Sequence, residues 1–344
     1  MKSFFVFVVS LFSIANVAAQ NNLQLNYSGE IVLNDSIEDF YQSSISQFKV
    51  DSGFLYITSN DLSAVSKYSL NTGNQTAFFE FYGRGPYEME NLYNLTVSDT
   101  SLYLLDYSGK IVGLNNTTGI PFLEINPKIS RVKEILFYEN GFIIGQEAPG
   151  TKTYLSKINF TTEEIEAFGA EQFFENVLLS AFITSGKMIR DESTLHTLMP
   201  FGNDLYTYNL SDLSRTDITE LKIPDFASES LTLPNNIYLQ DPTKIQDFFS
   251  NNSLVTGFFR MKHGYIIEVL HMHLGYQRAV AYLDSEFELL CYTPVSEPEI
   301  YDGTQDPKIR FSDGEFLYYY REEIDQTKED SAVKILRYFE PVCK

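Results

Sequence analysis

Short runs of alternating apolar and polar residues recur along most of the chain. Alternation with a period of two is typical of β-strands that bury one face. The alternating runs lie at residues 65–70, 153–158, 204–209, 279–283 and 333–338. A second set of five runs, richer in apolar residues, follows turn signals, at residues 53–57, 101–106, 141–145, 264–269 and 314–320. These patterns predict antiparallel strands joined by tight turns.

The two sets of strands fit a repeated four-stranded antiparallel unit. One unit, at residues 177–220, is irregular: we predict its first strand at 178–184 and its third at 204–209, with the second somewhere within 188–199. With that unit the chain has six repeats, which predicts an all-β fold, a six-bladed β-propeller that closes radially and hides its strand edges. A β-sandwich or two small β domains are the alternatives.

The two ends of the repeat provide a check on closure. The last unit supplies three strands, at residues 308–312, 315–321 and 332–340, whereas residues 23–33 form a spare strand ahead of the first unit. We therefore predict that the N-terminal strand is the outer strand of the last blade. Residues 20–344 then form a single propeller domain.

The segment ahead of that domain has the features of a secretory signal peptide. Lys2 gives a positive start, residues 4–12 are almost entirely apolar, and residues 17–19 are the small residues of a cleavage site. We interpret residues 1–19 as a signal peptide; a buried strand is the alternative. The sequence thus predicts an exported protein, periplasmic, outer-surface or secreted, with no transmembrane anchor.

Composition narrows the choice of partners. Asp and Glu number 46 against 25 Lys and Arg, which gives a formal net charge of −21. An acid excess of this size repels phosphate and excludes sequence-independent nucleic-acid binding. A hydrophobic content of 44% is too high for a disordered chain. We expect a monomer whose partner is a protein or a carbohydrate.

The two cysteines, Cys291 and Cys343, leave two possibilities open. An exported chain can join them in one disulfide, or they can be buried free thiols. Asn-x-Ser/Thr triplets are also frequent, for example at Asn115, Asn159 and Asn209. We interpret them as polar turns of a bacterial protein rather than as glycosylation acceptors.

Residues 83–88, after the predicted outer strand of blade one, read Gly-Arg-Gly-Pro-Tyr-Glu. The chain here resembles exported bacterial six-bladed β-propellers related in shape to the NHL and TolB-like propellers, whose usual run is Gly-Arg-Gly-Pro-Gly-Glu. The resemblance implies a fold and an exported location more than a reaction. Tyr87 replaces a glycine of that run. Because Tyr tolerates positive φ poorly, it argues against a left-handed backbone there.

The same motif supplies two candidate ligand-binding residues, Arg84 and Glu88. Its glycines allow a tight turn, which Pro86 stiffens. The alternative is that the motif only locks blade one to blade two, with Arg84 pairing with Glu88 or reaching the neighbouring blade. No Lys-Ser/Thr pair follows, so the motif is not a phosphate loop.

Basic residues are scarce, yet several lie on the predicted innermost strands around the central channel. They are Lys49, Arg131, Lys133, Arg260, Lys262, Lys308 and Arg310. A cationic channel within an acidic shell favours an anionic or sugar-like ligand. Arg131, Arg260 and Arg310 are therefore candidate ligand-binding residues, together with Asp302 on a long loop. The alternative is that these basic groups pair with acids between blades.

Chemistry beyond binding has little support in the sequence. No nucleophile elbow, zinc-protease pair or dinucleotide fingerprint occurs, so no catalytic residue is predicted. His271 and His273 are the only metal candidates, because a spacing of two places them on one face of a strand; packing between blades is the alternative. No cofactor is expected apart from Ca²⁺ in the channel, since some six-bladed propellers are lyases or calcium-dependent esterases. Asn94 and Asp302 are conceivable residues for that role.

Long polar connections, at residues 221–251, 295–307 and 322–330, predict a loop-rich face. We therefore predict a non-catalytic binding or scaffold propeller that recognises a glycan, a peptide or an envelope protein through this face. A channel-centred metal-dependent hydrolase or lyase is the competing hypothesis. A structural subunit held by its sheet faces is a third.

Overall fold

The computed structural model describes residues 23–35, 45–59, 62–127, 132–139, 141–146, 153–171, 187–228, 243, 247, 250–294, 309–325 and 330–344. The predicted signal peptide, residues 1–19, lies outside this part of the chain. The first described strands are β1 (Leu23–Gln24) and β2 (Tyr27–Leu33). Strands continue to the C-terminus and carry almost all the regular structure.

Six four-stranded antiparallel sheets, here called blades, contain most of these strands. Blade one has β3 (Ile45–Asp51), β4 (Phe54–Ser59), β5 (Ala64–Ser69) and β6 (Gln75–Glu80), and blade two has β7 (Leu92–Ser98), β8 (Ser101–Asp106), β9 (Ile111–Asn115) and β10 (Pro121–Ile125). Blade three has β11 (Val132–Tyr138), β12 (Gly141–Gln146), β13 (Thr153–Asn159) and β14 (Ile165–Glu171), and blade four has β15 (Lys187–Asp191), β16 (Thr194–Leu198), β17 (Asp204–Asn209) and β18 (Arg215–Glu220). Blade five has β19 (Ser253–Arg260), β20 (Tyr265–His271), β21 (Gln277–Leu283) and β22 (Leu289–Pro294).

Blade six combines both ends of the chain. It has β23 (Ile309–Ser312), β24 (Phe316–Asp325) and β25 (Asp330–Phe339), with β2 as its outer strand. Strand β2 pairs antiparallel with β25, so Ile31 lies opposite Ile335. The predicted closure by the N-terminal strand is therefore confirmed.

The first strands of the blades form a closed ring around the centre of the molecule. Each of β3, β7, β11, β15, β19 and β23 contacts the first strand of the next blade, and β23 contacts β3 again. Six sheets in such a ring confirm the six-bladed β-propeller. Radial closure leaves no blade at a free end.

The hydrophobic core lies between blades rather than at one centre. Six clusters of buried apolar residues each combine two neighbouring blades. At the closure, Leu55 and Ile57 of blade one pack in one cluster with Tyr318 and Ile335 of blade six. Burial of apolar area therefore ties the two ends of the chain together.

A second, smaller closure lies beside blade six. Strand β1 pairs with β26 (Val342–Cys343), which places Leu23 opposite Cys343. Cys343 is joined by a disulfide to Cys291 on β22, the outer strand of blade five, with 5.5 Å between the Cα atoms. The C-terminus is thus held covalently to blade five.

The frequent Asn-x-Ser/Thr triplets recur at equivalent turns between third and fourth strands. Side-chain oxygens of Asn115, Asn159 and Asn209 accept hydrogen bonds from backbone N–H groups two residues downstream. Four residues after each of these asparagines, the backbone has positive φ, at Gly119, Glu163 and Leu213. These asparagines therefore shape the turns, as the interpretation of polar turns requires.

Two sequence predictions differ from the structure. In blade four, β15 and β16 form a hairpin within residues 187–198, and the predicted first strand at 178–184 lies outside the described residues. The charged turn at Glu192, with a φ of +51°, separates two strands where one was predicted. In blade six, residues 322–325 and 330 belong to strands β24 and β25 rather than to a loop.

Candidate functional site

A central cavity of about 1040 Å³ lies inside the ring of first strands. Every first strand contributes to its wall, with Lys49 on β3, Tyr93 on β7, Glu134 on β11, Lys187 on β15, Thr256 on β19 and Arg310 on β23. Small ligands usually bind in concave pockets of about this size. The channel, which the six first strands enclose, is therefore the candidate ligand site.

Cations outnumber acids on the described wall of this cavity. Its basic residues are Lys49, Lys187, Arg260, Lys262 and Arg310, and its acidic residues are Glu134, Asp313 and Glu315. The whole chain has the opposite balance, with 25 basic against 46 acidic residues. The channel is therefore a cationic region within an anionic molecule, which concentrates anions from solution.

The structure places four of the predicted channel residues on this wall: Lys49, Arg260, Lys262 and Arg310. Arg131, Lys308 and the side chain of Lys133 lie outside what the structure describes. Lys187 also lines the cavity, although the sequence prediction did not include it, because β15 was placed elsewhere.

The two arginines of the wall have distinct settings. Nη1 of Arg260 forms an ion pair with Oδ1 of Asp191 at 2.8 Å, which bridges blades five and four. The guanidinium group of Arg310 lies 5.8 Å from the ring centres of both Phe48 and Tyr320. Arg260 is thus both a wall residue and an interblade partner, whereas Arg310 is positioned by two aromatic faces.

Glu134 is a second functional candidate, after Lys187, that sequence reasoning missed. Its Oε2 atom is buried and accepts no hydrogen bond from the residues that the structure describes. Burial raises the pKa of the Glu134 carboxyl, an effect that Lys187, Lys49 and a hydrogen bond from the Met188 backbone oppose. A buried acceptor without a partner is costly and rare in a folded protein.

The motif at residues 83–88 locks blade one to blade two. Nζ of Lys110, in blade two, donates to the carbonyl oxygens of Gly85 and Glu88 at 3.1 and 2.9 Å. The same ammonium group lies 3.3 Å from Glu124, which accepts a hydrogen bond from the Tyr87 backbone N–H. These contacts correspond to the structural alternative considered from the sequence.

Within the motif, Glu88 folds back onto the glycines. Its Oε2 accepts a hydrogen bond from the Gly85 N–H at 2.6 Å. A Cβ atom on Gly83 would lie 2.1 Å from that oxygen, and Gly83 has a φ of +148°, so only glycine fits. Arg84, whose side chain is 85% exposed, pairs with Glu90 and not with Glu88.

Tyr87 has a φ of +61°, so the expectation that tyrosine excludes a left-handed backbone at this position is wrong. The backbone N–H of Tyr87 donates to the Glu124 carboxylate of the neighbouring blade, which holds the turn in this conformation. The left-handed geometry is thus kept by an interblade contact rather than by glycine.

His271 lies in a buried polar row across blade five. Its Nδ1 lies 2.9 Å from Oγ of Ser253, and its Nε2 lies 2.9 Å from the Tyr292 hydroxyl. Strand β20 ends at His271, and His273 belongs to a single 3-10 turn, Met272–Leu274, so strand alternation does not relate the two rings. Both nitrogens of His271 are engaged, which leaves neither for a metal ion in this arrangement.

The other candidates for channel chemistry lie elsewhere. Asn94 is buried on β7, where its Oδ1 accepts from the Leu95 N–H at 2.7 Å, and Asp302 lies outside the described residues. Among the residues that are described, no group of three or more His, Cys, Asp or Glu could hold a metal ion. None of the described helices is long and apolar enough to cross a membrane.

Two solved structures from Bacteroides have similar folds. A member of the DUF4221 family from Bacteroides vulgatus aligns with a TM-score of 0.68 and 14% identity, covering 94% of this chain and all of that one. A Bacteroides fragilis protein, named as a predicted exported protein, aligns with a TM-score of 0.65 and 12% identity, covering 94% of this chain and 97% of that one. At these identities the likeness concerns the fold alone. No family model and no curated protein matches the sequence.

Proposed function

We propose that the protein is an exported, non-catalytic binding propeller that takes an anionic ligand into its central channel. The observation that carries this proposal is the cationic wall, with Lys49, Lys187, Arg260, Lys262 and Arg310 around one cavity of about 1040 Å³. In a chain of net charge −21, such a cluster opposes the overall field and attracts anions to one place.

Export is supported by two independent features. Residues 1–19 have the pattern of a signal peptide. A structural neighbour of the same architecture is also named for its predicted export. The periplasm, the cell surface and the medium are all compatible with these features, and the disulfide between Cys291 and Cys343 suits any oxidising compartment.

Of the ligand classes considered from the sequence, the channel wall favours a small ligand, such as a glycan, over a peptide or an envelope protein. A folded partner would need a broad face, whereas the cavity is lined by the innermost strand of every blade. Recognition of a protein through the predicted loop-rich face remains a prediction, since residues 229–242 and 295–308 lie outside the described part.

A thermal-shift titration with sulfate and phosphate, at constant ionic strength against chloride, tests the proposal. A ligand that binds only the folded state raises the melting temperature with concentration. We expect both oxyanions to stabilise the protein, and Lys49→Gln or Lys262→Gln to reduce that shift. Lys222→Gln is the matched control, because Lys222 is 80% exposed and pairs with Glu288 away from the described cavity wall. Equal shifts in all four proteins would overturn the proposal.

A further inference from the structure

The unpartnered carboxyl oxygen of Glu134 sets a second requirement on the ligand. Glu134 lines the same cavity as the basic residues, and its Oε2 lacks a hydrogen-bond donor among the described residues. The terminal torsion of a glutamate is soft and two-fold, so either oxygen can turn toward the cavity. A ligand that donates a hydrogen bond to Oε2 would remove the free-energy cost of this buried acceptor without a partner.

The surrounding charge decides what kind of donor fits. Five basic and three acidic side chains line the described wall, so a ligand ammonium group would meet more cations than carboxylates. A hydroxyl group donates a hydrogen bond and carries no charge. The wall therefore favours a ligand that combines anionic groups for the lysines and arginines with a hydroxyl for Glu134.

Aromatic side chains form the remainder of the pattern. Phe48, Tyr93, Phe258 and Phe311 contribute to the wall beside the charged groups. Phe48, Phe258 and Phe311 are buried in the apolar cores between blades. Tyr93 is only partly buried and lines the cavity, so its ring offers an aromatic surface against which the C–H face of a sugar ring can pack.

Resting on the proposed function above, we infer that the channel ligand is an acidic saccharide. Its carboxylate or sulfate groups pair with the basic residues of the wall, and one of its hydroxyl groups donates to the Glu134 carboxylate. Glu134 is thus a specificity-determining residue, which distinguishes a sugar acid from a simple anion.

Calorimetric titration with three probes separates this inference from the proposed function. The probes are trigalacturonate, the neutral trisaccharide maltotriose, and the dicarboxylate adipate, which lacks hydroxyl groups. We expect trigalacturonate to bind at least tenfold more tightly than adipate, and maltotriose to show no binding. Glu134→Leu should weaken trigalacturonate binding about tenfold or more and leave adipate unchanged or tighter. Glu134→Gln, which keeps an acceptor oxygen, should restore most of the affinity.

Each outcome bears on a different claim. Equal affinities for trigalacturonate and adipate, or a Glu134→Leu variant that binds trigalacturonate normally, would overturn the inference and leave the proposed function standing. Binding of maltotriose as tight as that of trigalacturonate would contradict the role of the cations. Failure of every anion, sulfate and phosphate included, would overturn the proposed function itself. The melting temperature of each variant shows whether it is folded.

Discussion

Glu134 and Lys49 line the same central cavity, although the whole of blade two separates their strands in the ring, and the Lys49 ammonium group opposes the rise in the pKa of the Glu134 carboxyl. Lys187, on the blade that follows Glu134, acts on the same carboxyl group. The pKa of one partly buried acid thus responds to cations from two other blades. This arrangement makes the channel wall a charged site built by the closure of the ring.

Replacing Glu134 by Gln should stabilise the protein at neutral pH and have little effect in acid. Burial raises the folded-state pKa of this carboxyl above its usual 4.5. The stabilising contribution of Glu134 to the free energy of unfolding is therefore fully present below about pH 4.5. It is lost as the pH rises through the folded-state pKa. Gln carries no charge at any pH, so the gain in melting temperature should grow from pH 4 to pH 8.

Glu315→Gln is the matched control for that measurement, because Glu315 lines the cavity but is exposed. Its effect on the melting temperature should be small at every pH. A Glu134→Gln variant that is less stable than the parent at pH 8 would contradict the account of a desolvated carboxyl.

His271 should make the fold sensitive to mild acid. Burial lowers the pKa of this imidazole to about 4, and His273 adds to the effect while Asp225 opposes it. The unfolded chain then binds a proton at about pH 6.5, whereas the folded chain does not until about pH 4. The contribution of His271 to the free energy of unfolding is therefore fully present above about pH 6.5. It falls by about 3 kcal/mol in total as the pH is lowered from 6.5 to 4.

Urea unfolding at pH 7 and pH 4.5 measures this loss. His271→Gln should be less stable than the parent at pH 7, because the bonds to Ser253 and Tyr292 are disturbed, and should lose less stability in acid. His263→Gln, at a side chain that is 68% exposed, should retain the acid sensitivity of the parent. A His271→Gln protein with the parent's pH dependence would rule out His271 as the source.

Removing the disulfide should destabilise the closure of the ring. The bond between Cys291 and Cys343 spans 52 residues that include the first three strands of blade six. In the chain-entropy model, opening a loop of this length costs about 4 kcal/mol. A Cys291→Ser, Cys343→Ser double variant should show this loss in urea unfolding, and dithiothreitol should lower the stability of the parent but not of the variant. Equal stability of the two proteins without reductant would contradict a structural role.

Lys110, rather than Arg84, should carry the stability of the motif at residues 83–88. Lys110→Met removes donors to two carbonyl oxygens and leaves Glu124 without its ion pair, which should cost about 2 kcal/mol. Arg84→Met, at an 85% exposed side chain, should leave the stability almost unchanged. Comparable losses in the two variants would show that the lock does not depend on Lys110. Neither variant should affect oxyanion binding in the channel.

The repeat of strands could be predicted from the sequence because alternation and turn chemistry are local. Strand β17, for example, was expected at residues 204–209 and is Asp204–Asn209. The hairpin of β15 and β16 was missed because the charged residues around Glu192 form its turn, where Glu has positive φ. Turns are predicted from residues that are common in them, such as Gly and Asn, so a turn formed by glutamate has no recognisable pattern in the sequence.

The chemistry of the channel could be predicted only in part. Lys49, Arg260, Lys262 and Arg310 were found because they lie on or next to predicted first strands, whereas Lys187 was missed together with strand β15. Glu134, flanked in sequence by Lys133 and Ile135, is indistinguishable from an exposed strand acid. Its burial depends on how strand β11 packs between the first strands of the neighbouring blades. The ion pair between Arg260 and Asp191, 69 residues apart, has the same long-range origin.

The most direct test of the cationic channel locates a bound anion. Crystals of the protein grown with sodium selenate, an analogue of sulfate, allow the selenium to be found by anomalous diffraction. The expected result is a selenium peak inside the ring of first strands, within hydrogen-bond distance of Lys49, Lys262 or Arg310, that is absent from the Lys49→Gln, Lys262→Gln double variant. Selenate bound only on the outer surface of the blades, with none in the channel, would contradict the central claim.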